Sequence, residues 1–351
     1  MTKLSSQLTI AALCIYGKSI ALWNCIKQHL DLMALTGANI VILVPSEEPI
    51  DFIQEEYESK VVLFSNKREL IQIVKNKDVD VLWYPSILSM CKYGNLKKHC
   101  RKLLWIQGSV ADESYLRNNS VIRKGLLNLL ELYALNESDG LIYVSDSMRC
   151  FYEKKYKHRF DNFAIVPCIS DFHNYEPHLE RIPESFVYIG GLSEWQCFED
   201  IVDIYSVVRT NKSVFHIITM DTENATKIVK RKMSDTTGIC IYSLTDREQI
   251  PDVLSTFQYG FLIRKESPVN YVSSPIKFLE YLSCGVNVIM TEAIPSYAKL
   301  VRENKVGTIV DLNNKNEIHI NAFSSNARDV YKTYFKKEQL VDQYQRLIKH
   351  L

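Results

Sequence analysis

Short apolar runs separated by longer stretches with helical spacing recur along the whole chain, and this rhythm limits the folds open to it. The runs are apolar throughout, not alternating. Strands of that kind are covered on both faces, as in a parallel sheet flanked by crossover helices. The first half predicts strands at residues 8–16, 39–44, 60–64, 81–84, 102–106, 141–144 and 163–166. The second half predicts them at 186–189, 214–219, 239–244, 260–263, 286–290 and 308–310. Helical spacing is plain in 19–35, through Ile20, Leu22, Trp23, Ile26, Leu30 and Met33, and again in 121–136, through Leu126, Leu127, Leu129, Leu130, Leu132 and Leu135.

The rhythm breaks between Pro167 and Glu184, where Pro167, Pro177 and Pro183 fall in a stretch of little periodicity. With 351 residues the chain is long enough for two domains. The expectation is an α/β protein of two Rossmann-like domains, residues 1–170 and 171–330, with a helical tail at 331–351. Charged residues make up 24% and the net charge is +1, so whole-chain charge does not point to nucleic acid as a partner. The nine cysteines are scattered, with no CxxC pair, which indicates neither a disulfide framework nor a zinc cluster. Without an export pattern or a run of about 20 apolar residues, the expected location is cytoplasmic. Basic groups at Lys92–Lys102, Arg117–Lys124 and Arg149–Arg159 add a peripheral contact with the inner face of an anionic membrane; solvated helix faces would look the same.

The segment from Arg264 to Gly285 concentrates the chemistry. Arg264 ends an apolar run, where a parallel sheet opens to its ligand. Ser273, Ser274 and Pro275 read as a helix start, with Ser274 as N-cap and Pro275 as first helical residue. Lys277 then falls in the first turn, where a cation is disfavoured unless an anion binds there. Glu280 lies one turn on, on the same face, within a run of apolar neighbours. A buried carboxylate needs partners, and ribose hydroxyls or Lys277 would serve. Upstream, Gly190 and Gly191 close the first strand of the second half; a glycine pair there admits a phosphate or simply makes a tight turn. Ser193-Glu194-Trp195-Gln196 follows without a cation.

These residues resemble the donor-site signature of retaining GT-B glycosyltransferases, specifically glycosyltransferase family 4. The similar blocks are Tyr188-Ile-Gly190-Gly191 and Ser274-Pro-Ile-Lys277-Phe-Leu-Glu280-Tyr-Leu. The resemblance implies a GT-B fold, two Rossmann-like domains facing across a cleft, with the tail crossing back to the first domain. It implies a nucleotide-sugar donor as substrate and transfer to a glycan or lipid-linked acceptor, as in surface polysaccharide assembly. Arg264 and Lys277 would stabilise the diphosphate, and Glu280 would hold the ribose. Gly190, Gly191, Ser273 and Ser274 would contact phosphate. Many members carry a second Glu eight positions before the one matched by Glu280; here that position is Val272, and Glu266 is a substitute contact for the donor sugar.

In the first half the resemblance places Gly17 and Gln107 on the acceptor side. The stretch Tyr16-Gly17-Lys18-Ser19 lacks the earlier glycine of a triphosphate loop. Asp112 and Glu113 would hold or deprotonate the acceptor, or form an acid pair favoured by a helix start. The donor phosphate would also serve as proton acceptor in a same-face displacement. The scheme needs neither a metal nor a cofactor; Asp78-Val-Asp80 reads as a turn before a buried strand. Three other readings remain: a nucleotide-sugar epimerase, a transferase-like scaffold without turnover, and a periplasmic sugar-binding protein.

Overall fold

Among the described residues, thirteen strands form two separate parallel sheets in the computed structural model, which describes residues 7–15, 20–48, 53, 55–95, 100–169, 172, 175–176 and 180–351. The chain divides into two units: Met1–Pro167 together with Lys337–Leu351, and Cys168–Lys336.

The first unit contains β1 (Thr9–Leu13), β2 (Asn39–Pro45), β3 (Val61–Phe64), β4 (Val81–Tyr84), β5 (Arg101–Ile106), β6 (Gly140–Tyr143) and β7 (Phe163–Ile165). Their order is β3-β2-β1-β4-β5-β6-β7. β1 and β4 are buried along their whole length, as both-face coverage requires. The C-terminal helix Lys337–Lys349 packs on the helix Ile20–Leu35 and on β7 of this unit. His29 and Tyr344 join these helices by a buried hydrogen bond beside Trp83 and Trp105. Burial pushes the His29 imidazole down to about 3, so it is neutral and acts as part of the core.

The second unit contains β8 (Ser185–Ile189), β9 (Val214–Ile218), β10 (Ile239–Tyr242), β11 (Tyr259–Leu262), β12 (Asn287–Met290) and β13 (Gly307–Ile309), in the order β10-β9-β8-β11-β12-β13. Alternate residues enter opposite cores. Phe186, Tyr188, Phe261 and Ile289 pack on one face; Val187, Leu262, Val288 and Met290 pack on the other. On the second face the helix Ile276–Ser283 approaches β11 closely. A Cβ at Gly260 would lie 2.8 Å from the Tyr281 ring, so the glycine lets that helix sit down on the sheet. The tail read as helical holds two helices: Ala327–Tyr334, packed on Ile276–Ser283 in the second unit, and Lys337–Lys349 in the first.

The helix expected at 121–136 is present. The helix Val121–Asn136 buries only part of its apolar set: its buried residues are Glu131, Ala134 and Leu135, while Ile122 is 80% and Leu129 66% exposed. A buried ion network lies on its inward face. Glu131 accepts from Lys155 (2.8 Å), from Tyr156 (2.6 Å) and from the backbone N–H of Ala111 (2.9 Å). A buried carboxylate without those donors would be costly, so they set the helix face.

Candidate functional site

The order of the second sheet reverses between β8 and β11, and ligands of open α/β sheets bind at the carboxyl ends of strands beside such a switch. At this point Gly190 follows β8, Arg264 lies two residues past the end of β11, and the helix Ile276–Ser283 begins. Gly190 has φ +141°, which L side chains avoid. A Cβ there would also strike the Lys277 ammonium and lie 2.7 Å from its Cε. The glycine is therefore needed both for backbone conformation and as room for Lys277. Nothing lies within 4 Å of a Cβ built on Gly191, which leaves open space beside the loop.

Lys277 donates from Nζ to Gln196 Oε1 at 2.8 Å and lies 4.7 Å from the centroid of the Tyr188 ring. Tyr188 is fixed by its hydrogen bond to the Gly191 carbonyl. Burial, together with the charge of nearby Arg264, pushes the Lys277 ammonium down to about 7, against a smaller opposing effect of Glu280. Arg264 is only 7% exposed. Its Nη1 donates to the Ile263 carbonyl at 2.9 Å, and its backbone is clamped by Thr291, which donates to the Arg264 carbonyl at 2.6 Å. Burial lowers its guanidinium from the ordinary range. Among the described residues neither cation has an ion-pair partner. Two cations in Coulomb range, neither paired with a carboxylate among the described residues, leave a local excess of positive charge. An anion placed there would restore both.

The helix start adds to this, with a correction. The helix begins at Ile276, and Pro275 (φ −68°, ψ 124°) occupies the cap position without a side-chain cap bond. Ser274 does not cap it. Its hydroxyl is drawn to the Tyr297 hydroxyl at 2.6 Å and accepts from the Cys168 N–H at 3.0 Å. Ser273 donates to the Asn270 carbonyl at 2.9 Å. The N–H groups of Ile276 and Lys277 have no acceptor among the described residues, so the end of the helix dipole is unopposed.

Glu280 is buried, and its carboxylate accepts from Arg247 Nη2 at 3.1 Å. Ribose hydroxyls or Lys277 were the expected partners; Arg247 comes instead from the turn after β10. Arg247 is 47% exposed, and its guanidinium lies 5.7 Å from the centroid of the Phe172 ring. Its only trace in the sequence is a cation soon after a strand end, 33 residues from Glu280. Val272 is buried in the short helix Pro268–Val272. Glu266 is exposed on the wall of a cavity it shares with Arg264.

In the first unit Gly17 lies outside the described residues. Gln107, just after β5, donates to the Pro85 carbonyl at 2.5 Å. The structure separates Asp112 from Glu113. Asp112 is buried and accepts from Ser109 (2.5 Å), Lys124 (2.7 Å) and Lys155 (3.0 Å). Burial alone would raise its carboxyl; these donors outweigh that and hold it below the usual range. It belongs to the network that buries Glu131. Glu113 lies against Gly108 and has no hydrogen-bond or ion-pair partner among the described residues. Burial raises its carboxyl, opposed by Arg117 and aided by Glu131. The basic groups are mostly neutralised: Arg149 by Asp146 and Glu153, Lys102 by Glu137, Lys155 by Asp112 and Glu131. Lys97 and Lys98 lie outside the described residues.

No family model and no curated protein matches the sequence. Solved structures do match in three dimensions. The lipopolysaccharide outer core galactosyltransferase WaaB, in its apo form, is 13% identical with a TM-score of 0.70, covering 97% of this chain and 99% of that one. AviGT4, a glycosyltransferase involved in avilamycin A biosynthesis, is 11% identical with a TM-score of 0.61, covering 97% of each chain. An α-glucosyltransferase in complex with UDP-glucose and DNA is 12% identical with a TM-score of 0.56, covering 97% and 93%. The two parallel α/β units of this chain have the GT-B fold of these proteins.

Proposed function

We propose that the chain is a glycosyltransferase that moves a sugar from a nucleotide-sugar donor to a hydroxyl of a glycan or lipid-linked acceptor, with retention, in surface polysaccharide assembly. The observation that carries this reading is the pair Arg264 and Lys277, without carboxylate partners, at the sheet's switch point and against an open helix start. A diphosphate leaving group fits that charge, and its own charge grows as the glycosidic bond breaks. Fixed cations and the helix end stabilise it without a metal ion. Glu280, held by Arg247, accepts from the ribose hydroxyls.

Retention is assigned to a same-face displacement in which the departing diphosphate takes the acceptor proton. Of the two acids on the acceptor side, Glu113 is the one available to hold the acceptor hydroxyl, because Asp112 is occupied by Ser109, Lys124 and Lys155. A glycan or lipid-linked acceptor is favoured over DNA by the chain's net charge of +1, since duplex binding needs many uncompensated cations. The lipid-linked acceptor accords with a peripheral location on the inner face of the cell membrane. The exposed apolar row Leu116, Val121, Ile122, Leu126 and Leu129, flanked by Arg117 and Arg123, is the surface that would enter the head-group layer. Among the described residues no helix is long and apolar enough to cross a membrane.

The test is a thermal-shift screen of nucleotide sugars, followed by nucleotide release from the stabilising donor with and without acceptor glycans, in the presence of chelator. The expected result is stabilisation by one donor and acceptor-dependent release that chelator leaves intact. Release without any acceptor would indicate the epimerase reading; binding without turnover would indicate the scaffold.

A further inference from the structure

Three helices of the first unit meet just after β5: Val110–Asn118, Val121–Asn136 and Asp146–Tyr156. The first of them starts without a cap of its own. Ser109 stands at the cap position with a favoured side chain, yet makes no cap bond; its hydroxyl donates to Asp112 Oδ2 instead. The buried Ala111 N–H is taken by Glu131 Oε1 at 2.9 Å, a carboxylate from the next helix. Glu131 is itself fixed from the third helix, where Lys155 donates to its Oε2 at 2.8 Å and Tyr156 at 2.6 Å. The Lys155 ammonium is held in turn: it donates to Asp112 at 3.0 Å and lies between 5.4 and 5.8 Å from the ring centroids of Phe151, Tyr152 and Tyr156. Tyr152, one turn before Lys155, donates to the Gly108 carbonyl at 2.9 Å. One helix thus holds both the loop after β5 and the first turn of Val110–Asn118. Glu113 lies between the two: a Cβ on Gly108 would overlap its Oε1 and lie 3.3 Å from its Cδ. We propose that Glu131 and Lys155 are positioning residues, which cap the helix Val110–Asn118 from outside and so hold the Glu113 carboxyl over the Gly108 backbone, ready for the acceptor hydroxyl. The role of Glu113 comes from the acceptor reading above; its placement does not.

Stability alone does not account for this cluster. The Glu131 side chain is fully buried and that of Lys155 is 16% exposed, so both ions carry a desolvation cost. An apolar pair of similar size in their place is often neutral or stabilising. What the charged pair adds is direction, a carboxylate oxygen aimed at one N–H. Of the three acids here, Glu131 and Asp112 are taken up by donors, and Glu113 alone has none among the described residues.

The experiment couples glycinamide to carboxyls of the full chain with a water-soluble carbodiimide, which acts on the protonated acid, and follows Glu113 by peptide mass spectrometry as pH is varied. Burial raises the Glu113 carboxyl, with Arg117 of its own helix opposing and Glu131 of the neighbouring helix aiding. In the unaltered protein the coupling midpoint should therefore stand above the ordinary glutamate value of about 4.3. Two double variants remove the same charges and differ only in the cap. Lys155→Met with Glu131→Gln keeps an oxygen for the Ala111 N–H; Lys155→Met with Glu131→Leu does not. The Gln pair is expected to keep the raised midpoint, and the Leu pair to fall to the ordinary value as Glu113 turns to water. Nucleotide release with acceptor glycan, from whichever of UDP-glucose, UDP-galactose or GDP-mannose stabilises the protein, should drop in kcat about tenfold in the Leu pair, the scale of one lost buried hydrogen bond. The Gln pair should restore it, with donor affinity unchanged in both.

Equal midpoints in the two pairs overturn the positioning role. Should the Leu pair not fold, Tyr156→Phe removes one donor to Glu131 without adding a buried charge; its midpoint is expected to fall part of the way, and an unmoved midpoint overturns the proposal. A lowered midpoint in the Leu pair with unchanged release supports the placement and removes Glu113 from the acceptor reading. If no sugar nucleotide is turned over, the transferase reading fails, and the coupling midpoints still decide the placement.

Discussion

The ammonium of Lys277 has the Gln196 amide and the Tyr188 ring for partners, and Arg264 close enough to repel it. Its pKa near 7 makes two expectations. In the ligand-free protein the unfolded chain binds this proton more tightly than the folded one between about pH 7 and the ordinary lysine value of about 10.4. Stability contributed by this group therefore rises with pH across that window, and Lys277→Met should remove the slope in urea titrations at pH 7 and 9. A bound diphosphate raises the lysine again, so binding takes up a proton above pH 7, and diphosphate affinity should fall as pH rises. Calorimetry in buffers of different ionisation enthalpy reads this directly. A flat profile would remove Lys277 from the anion site. Loss of the ammonium in Lys277→Ala should lower turnover by about 10² or more. Gly190→Ala should act on the same group, because the new methyl displaces Lys277 as well as straining a backbone at φ +141°; donor affinity is expected to drop along with thermal stability.

The helix Val121–Asn136 shows how an element's face can be chosen against its own hydrophobicity. Leucines at helical spacing identified the helix. Glu131, fully buried, is held by Lys155 and Tyr156, while Leu126, Leu129 and Leu130 are exposed. Leu126→Glu with Leu129→Glu should be neutral or mildly favourable for stability, since both side chains are exposed, yet should abolish sedimentation with vesicles containing anionic lipid. Vesicle binding equal to that of the unaltered protein would sink the membrane reading, and a change from dimer to monomer would assign the face to a second copy. The helix Ile276–Ser283 was more legible. Its start was predicted within one residue; the error came from giving Ser274 a capping role, when Tyr297 and the Cys168 N–H compete for that hydroxyl from elsewhere in the chain.

The chain returns to its first unit at Lys337, and the buried His29–Tyr344 bond joins its two ends. Tyr344→Phe leaves the His29 nitrogen buried without its partner, at a cost of about 1–3 kcal/mol. Deleting residues 337–351 should unfold the first unit while the second, whose sheet and cores lie within Cys168–Lys336, keeps its structure. Hydrogen exchange resolved by unit would show this, and uniform loss of protection in both would contradict it. Strand number, parallel coverage and the cationic character of the 264–280 segment were readable without coordinates, because apolar runs, glycine, proline and charge act over a few residues. Which acid is available near Ser109, which arginine grips Glu280 and which face of Val121–Asn136 meets solvent were not. Those depend on groups 20 to 33 positions apart, Glu131 with the Ala111 N–H and with Lys155, Arg247 with Glu280, that only the folded backbone brings within hydrogen-bond reach.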